Sequence, residues 1–158
     1  MSLRQVFPVE RIKLDLESED KEELFEELVD VYAASGAKFA DRKSRLGAVK
    51  DREALMSTGI MKGVAIPHGK TAGVDGVFGV IGVSKKGIDY ESLDGEPVFL
   101  VFLIVSSPSA SELHLKTLKK LAILLKNEEF KEELQAAVRP DEAYRVIERY
   151  ENLMNVGD

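Results

Sequence analysis

The chain has no cysteine and no tryptophan in 158 residues. Without cysteine there can be no disulfide, no thiol nucleophile and no thiolate metal ligand. Histidine is nearly absent too: there are two, His68 and His114. Long apolar runs are missing. The longest, Val98–Val105, has eight residues, whereas a helix needs about 20 to span a bilayer. The opening "MSLRQVFPVERIKLDLES" contains no apolar stretch of the kind a secretory leader carries. The expected location is therefore the cytoplasm. Basic excess is also lacking. Net charge is −6, which offers no electrostatic footprint for nucleic acid but suits a protein partner with a basic patch. There is no G-x-S-x-G elbow, Walker A loop or G-x-G-x-x-G turn, so neither a serine hydrolase nor a nucleotide site is indicated.

What is present reads as one folded domain. Apolar residues make up 44% of the chain and charged residues 32%, a balance that supports a core and argues against disorder. "RIKLDL" (11–16) alternates like a half-buried strand. Ser18 then precedes a helical pattern carrying Leu24, Leu28, Val31 and Tyr32. Ser18 is the expected N-cap and Gly36 the expected C-cap. A second helix is expected over 41–56 and could be split at Gly47. From Ser57 the chain becomes short apolar runs broken by glycine. Residues 76–83 read as a buried strand, and Asp94-Gly95 as a hairpin turn before a central strand at 98–105. Leu118, Leu121, Ala122 and Leu125 then give an apolar helical stripe. It starts either at a Ser109/Glu112 capping box or at Ser107-Pro108. Helices near 128–137 and 140–151 follow, separated by Arg139-Pro140. The expected fold is α/β: a single domain with a mixed β-sheet flanked by helices on both faces.

The chemistry centres on "GVAIPHGK" (Gly63–Lys70). Pro67 cannot donate to a ladder, so the strand is expected to stop there. Gly69 allows close approach of a ligand or of another backbone. His68 would sit at a strand end, where α/β sheets commonly place their sites. Neutral imidazole is a competent nucleophile. The tripeptide Pro-His-Gly by itself reads as a turn with a solvated histidine. His114, four residues before Leu118, is by itself a partly buried core residue. Together with the start of its helix and a cation, the two histidines could hold a phosphoryl group. Arg52 and Lys70 are the candidate cations. A metal site is poorly supported, because no carboxylates can be placed with the histidines.

At this point a family resemblance is legible. "REALMSTGIMKGVAIPHGK" (Arg52–Lys70), "LDGEPVFLVFLIV" (Leu93–Val105) and "HLKTLKKLAILL" (His114–Leu125) resemble the type-2 enzyme IIA domains of the bacterial phosphoenolpyruvate-dependent sugar phosphotransferase system. That group includes fructose, mannitol and nitrogen-regulatory forms. The resemblance covers about residues 7–151 and implies one such domain over 1–158. It implies a phosphoryl carrier that takes phosphate from the phosphohistidine of an HPr-type protein and passes it to a cysteine of a IIB domain. By the same resemblance His68 is the phosphorylated residue, His114 helps bind and orient the phosphoryl group, and Arg52 contributes to the anionic site. No cofactor or metal is implied. Two roles follow from it, sugar uptake or a regulatory switch that binds other proteins; retention of all three residues speaks against an inactive scaffold. Ile60, Met61 and Val64 are candidates for an exposed docking patch.

Overall fold

A computed structural model describes residues 2–35, 42–59, 62–72 and 74–156. Among these, the chain opens with a one-turn helix α1 (Leu3–Val6). With the serine before it, its sequence "SLRQ" forms a capping box. The Ser2 hydroxyl accepts from the Gln5 amide, and the Gln5 side chain accepts from the Ser2 amide at 2.9 Å. A 3-10 turn (Val9–Arg11) leads to β1 (Ile12–Lys13). Helix α2 (Lys21–Ala34) is capped by Asp20, whose carboxylate accepts from the Glu23 amide at 2.9 Å. Ser18 is not the cap. It lies further back and hydrogen-bonds Glu27, because Asp20 stands immediately before the first helical residue. Gly36 lies outside the described residues, as does Asp41, where the next helix was expected to begin.

Helix α3 (Arg42–Leu55) runs unbroken through Gly47. One glycine costs a helix about 1 kcal/mol, and packing of α3 on α2 and on the sheet outweighs it. The sheet follows, with β2 (Val64–Ala65), β3 (His68–Lys70), β4 (Val77–Ile88) and β5 (Val98–Ser106). Strand order is β1-β4-β5-β2, and β3 also pairs with β5. Among the described residues β4 and β5 pair antiparallel and the other strand pairings are parallel, so the sheet is mixed. The β4–β5 connection is longer than a two-residue hairpin. Its turn is closed by the Gly95 amide donating to the Ser92 carbonyl at 3.0 Å, with Gly95 at φ 74°.

Strand β5 is buried on both faces, as its sequence predicts. Leu100, Phe102 and Ile104 face a core made with α1, α4 (Ser111–Leu124), α5 (Glu128–Ala136) and α6 (Pro140–Val156). Val101, Leu103 and Val105 face a second core made with Leu24, Phe25, Leu28 and Tyr32 of α2 and Val49 of α3. Each such side chain, fully buried, contributes about 1.5–3 kcal/mol. The result is a single α/β domain with helices on both sides of one open mixed sheet. No helix among the described residues is long and apolar enough to cross a membrane.

Candidate active site

The strand expected to stop at Pro67 is interrupted there and resumes. Pro67 still offers its carbonyl, which accepts from the Ile104 amide at 3.0 Å. Beyond it His68, Gly69 and Lys70 pair in parallel with Ile104, Val105 and Ser106. β2 and β3 together flank one side of β5, the kind of sheet-edge position where proline is tolerated. His68 and Lys70 alternate with Gly69 and so share a face.

Gly69 explains how α3 reaches this strand. A Cβ built on Gly69 would lie 2.7 Å from both the carbonyl carbon and the carbonyl oxygen of Ala48. The absent side chain lets the α3 backbone lie directly on β3. One turn further along α3 comes Arg52. Its guanidinium donates to the Met56 carbonyl at 3.0 Å, at the helix C-terminus where a cation is favourable. It makes no other hydrogen bond to the protein among the described residues.

A 3-10 turn (Pro108–Ala110) leads into α4, starting with Pro108 directly after Ser107. The Ser109/Glu112 capping box does not form; α4 has no side-chain cap. The first turns of α4 bring His114 beside His68, with ring centroids 5.4 Å apart and the rings edge-on at 64°. The two histidines, Arg52 and Lys70 all line one open pocket of about 630 Å³, with Ser111 and Leu115 of α4. The Lys70 ammonium donates to the Ser111 hydroxyl at 3.0 Å, tying β3 to the start of α4.

The electrostatics keep both imidazoles neutral at pH 7. Burial lowers the His68 pKa below the ordinary 6.5; the Ile66 carbonyl opposes this and the nearby Arg52 charge reinforces it. His114 is only 4% exposed. Burial, followed by the neighbouring His68 and Lys70, lowers its pKa to about 4. The His68 Nδ1 lies 2.8 Å from the Ile66 carbonyl oxygen. A carbonyl only accepts, so Nδ1 carries the proton and donates, and Nε2 keeps its lone pair. At the other ring, His114 Nδ1 shares a hydrogen bond with the buried Ser106 hydroxyl.

Several residues here escaped the sequence reading. Ser106, Ser111 and the exposed apolar Leu55, Met56 and Leu115 all lie in or beside the pocket. Ser106 had a signal: a hydroxyl closing an unbroken apolar strand is a buried polar group needing a partner. Glu53 had none. It is buried behind Arg52, accepting from the Thr58 amide (3.0 Å), the Thr58 hydroxyl (2.6 Å) and Lys21 (3.0 Å). Burial alone would raise its pKa, but the bonds from Thr58 and Lys21 outweigh this and hold it below 4.5. Of the suggested docking patch, Val64 is a core residue, 1% exposed. Ile60 and Met61 lie outside the described residues.

Fold and pocket together define a small α/β domain presenting two neutral imidazoles and two cations at strand and helix ends. The model of the family described as "Phosphoenolpyruvate-dependent sugar phosphotransferase system, EIIA 2" matches residues 5–150, and the chain belongs to that family. It is 40% identical over 151 residues to a PTS system fructose-specific EIIABC component of Bacillus subtilis (strain 168). That match covers 96% of this chain but 24% of the relative, so the chain spans about a quarter of that protein. It is 33% identical over 149 residues to a nitrogen regulatory protein of Bradyrhizobium diazoefficiens, covering 93% of this chain and 95% of the relative. The crystal structure of nitrogen regulatory protein IIA-Ntr from Neisseria meningitidis superposes with a TM-score of 0.80 at 30% identity, covering 92% of this chain and 98% of that one.

Proposed function

We propose that this chain is a phosphoryl carrier in which His68 Nε2 takes a phosphoryl group from the phosphohistidine of an HPr-type protein. It then yields the group to a cysteine of a fructose- or mannitol-type IIB domain. The observation that carries this reading is the Ile66 carbonyl at His68 Nδ1, which leaves Nε2 as an unprotonated nucleophile. In the first step the Nε2–P bond forms as the donor's N–P bond breaks, and the donor imidazole leaves with the electron pair. Nδ1–H stays on His68 throughout. In the second step a cysteine thiolate attacks phosphorus and His68 Nε2 leaves as neutral imidazole. Such in-line transfer needs positioning and charge stabilisation more than acid–base chemistry. Arg52 and Lys70 supply the positive charge, and His114 orients the phosphoryl oxygens. The exposed Leu55, Met56 and Leu115 suit docking of a protein rather than a small molecule.

The second reading is a nitrogen-type regulator whose phosphorylation at the same residue switches its binding to other proteins. The sequence and structural likeness to nitrogen regulatory proteins supports it. Incubation with phosphoenolpyruvate, enzyme I and HPr, followed by intact-mass measurement, tests the shared chemistry. One phosphoryl group should be gained, labile to acid and stable to alkali, and lost in His68→Ala. A gain that survives in His68→Ala would sink the assignment. Offering the phosphorylated protein to fructose and mannitol IIB domains separates the two roles: transfer supports uptake, and refusal by all of them supports regulation.

A further inference from the structure

We propose that Ser106 is a positioning residue that fixes His114 in the tautomer carrying its proton on Nε2, so that the two site histidines hold opposite tautomers. The proposal rests on the phosphoryl-carrier reading for its purpose, but on geometry for its substance.

Ser106 is the last residue of β5 and is fully buried, at 0% exposure. Its backbone is already engaged in the sheet: it pairs with Lys70 on one side and Val77 on the other. Its carbonyl accepts from the Thr71 amide at 2.9 Å. Among the described residues the hydroxyl has one partner, His114 Nδ1. A hydroxyl has one proton to donate. Were Nδ1 protonated, it would donate to Ser106, and the serine proton would be left buried with no acceptor. An unsatisfied buried donor is strongly disfavoured. With the proton on Nε2, Ser106 donates to Nδ1 and the pair is satisfied.

His68 is constrained the other way. Its partner is a carbonyl, which accepts only, so Nδ1 is protonated and Nε2 is bare. One ring is thereby set as nucleophile and the other as N–H donor, with centroids 5.4 Å apart. The division suits a phosphoryl group on His68. Its anionic oxygens need a donor, and a His114 with a lone pair on Nε2 would repel them. Because His114 is neutral at pH 7, only its tautomer decides which face it presents.

The test has two arms. In the first, nitrogen NMR of the uniformly labelled, unphosphorylated protein at pH 7.5 reads the tautomers directly. His114 should show a protonated Nε2 and a bare Nδ1, and His68 the reverse. A protonated Nδ1 on His114 in the wild type overturns the proposal, whatever the protein's function. In the second, Ser106→Ala should lose the Nδ1 hydrogen bond and show a mixture of His114 tautomers. Phosphoryl acceptance from phospho-HPr should fall about tenfold or more, by analogy with the partners that orient metal-bound imidazoles. An Ser106→Ala protein that folds, retains the wild-type His114 signature and accepts phosphate at the wild-type rate also overturns it. If the variant does not fold, the wild-type spectrum alone decides. If the wild type accepts no phosphoryl group, the carrier reading fails, and the spectrum still judges the tautomers.

Discussion

At the residue scale, two histidines in one pocket are driven away from the protonated state by burial. The sign of the pH dependence follows. The His114 pKa falls from 6.5 unfolded to about 4 folded, so between these values the unfolded chain binds more protons. Stability due to this group is fully present above pH 6.5 and is lost as pH falls through about 4. The loss between pH 7 and pH 4 should be about 2–3 kcal/mol. Urea melts at half-unit pH steps measure it, and His114→Gln should flatten the fall between pH 6.5 and 5. Glu53, held below 4.5, adds its own loss at lower pH, whereas His68, also lowered by burial, keeps a share of the fall in that window, so the variant lessens the slope without abolishing it. An unchanged slope in His114→Gln would refute the assignment. The same variant should transfer phosphate poorly while melting close to wild type at pH 7.5, which separates a site residue from a core residue.

At the element scale, α3 is held on β3 by what Gly69 lacks. Gly69→Ala would place a methyl group 2.7 Å from the Ala48 backbone. Backbone cannot yield as a side-chain tip can, so α3 must lift, carrying Arg52 with it. We expect a destabilisation of about 1–3 kcal/mol in urea melts, together with slower phosphoryl acceptance by the folded fraction. Normal transfer rates in Gly69→Ala would show that the position of α3 is irrelevant to the site. Elements also show where local reading succeeded. The apolar run 98–105, with no polar alternation, required a strand buried on both faces, and β5 is one. Local sequence predicts a stop at Pro67. The ladder resumes because the proline carbonyl still pairs, and the parallel partner supplied by β5 lies far off in sequence.

At the scale of the whole molecule, Glu151 is the most deeply buried charge among the described residues, at 0% exposure. Its carboxylate accepts from the Leu3 amide at 2.6 Å and lies within 3.5 Å of Arg4 and 3.3 Å of Lys120. It thereby joins α1, α4 and α6 on the face of the sheet opposite α3. Glu151→Ala strands the Leu3 amide and the Lys120 ammonium and leaves Arg4 with Glu148 alone, and should cost about 2–3 kcal/mol in a thermal or urea melt. Phosphoryl acceptance per folded molecule should stay near wild type, since none of these groups lines the pocket. A loss of transfer at full folding would mean that the scaffold and the site are coupled through α4.

Local sequence was enough for the longer helices, the buried strand and the side-chain chemistry available, but not for α1, the Asp20 cap or the ladder that resumes past Pro67. Periodicity set the helices and the buried strand, the absence of cysteine and of nucleotide motifs removed whole reaction classes, and the Pro-His-Gly stretch with its second histidine carried the family. It could not say that His68 and His114, 46 positions apart, stand edge to edge, because that contact depends on parallel pairing between β3 and β5 and on the turn into α4. Nor could it choose the protonated nitrogen on either ring. Tautomers are set by the partner at Nδ1, a carbonyl in one case and a hydroxyl in the other, and the fold selects those partners. Local sequence specifies propensities and side-chain chemistry; which nitrogen bears the proton is decided by atoms that only the folded chain brings within hydrogen-bond reach.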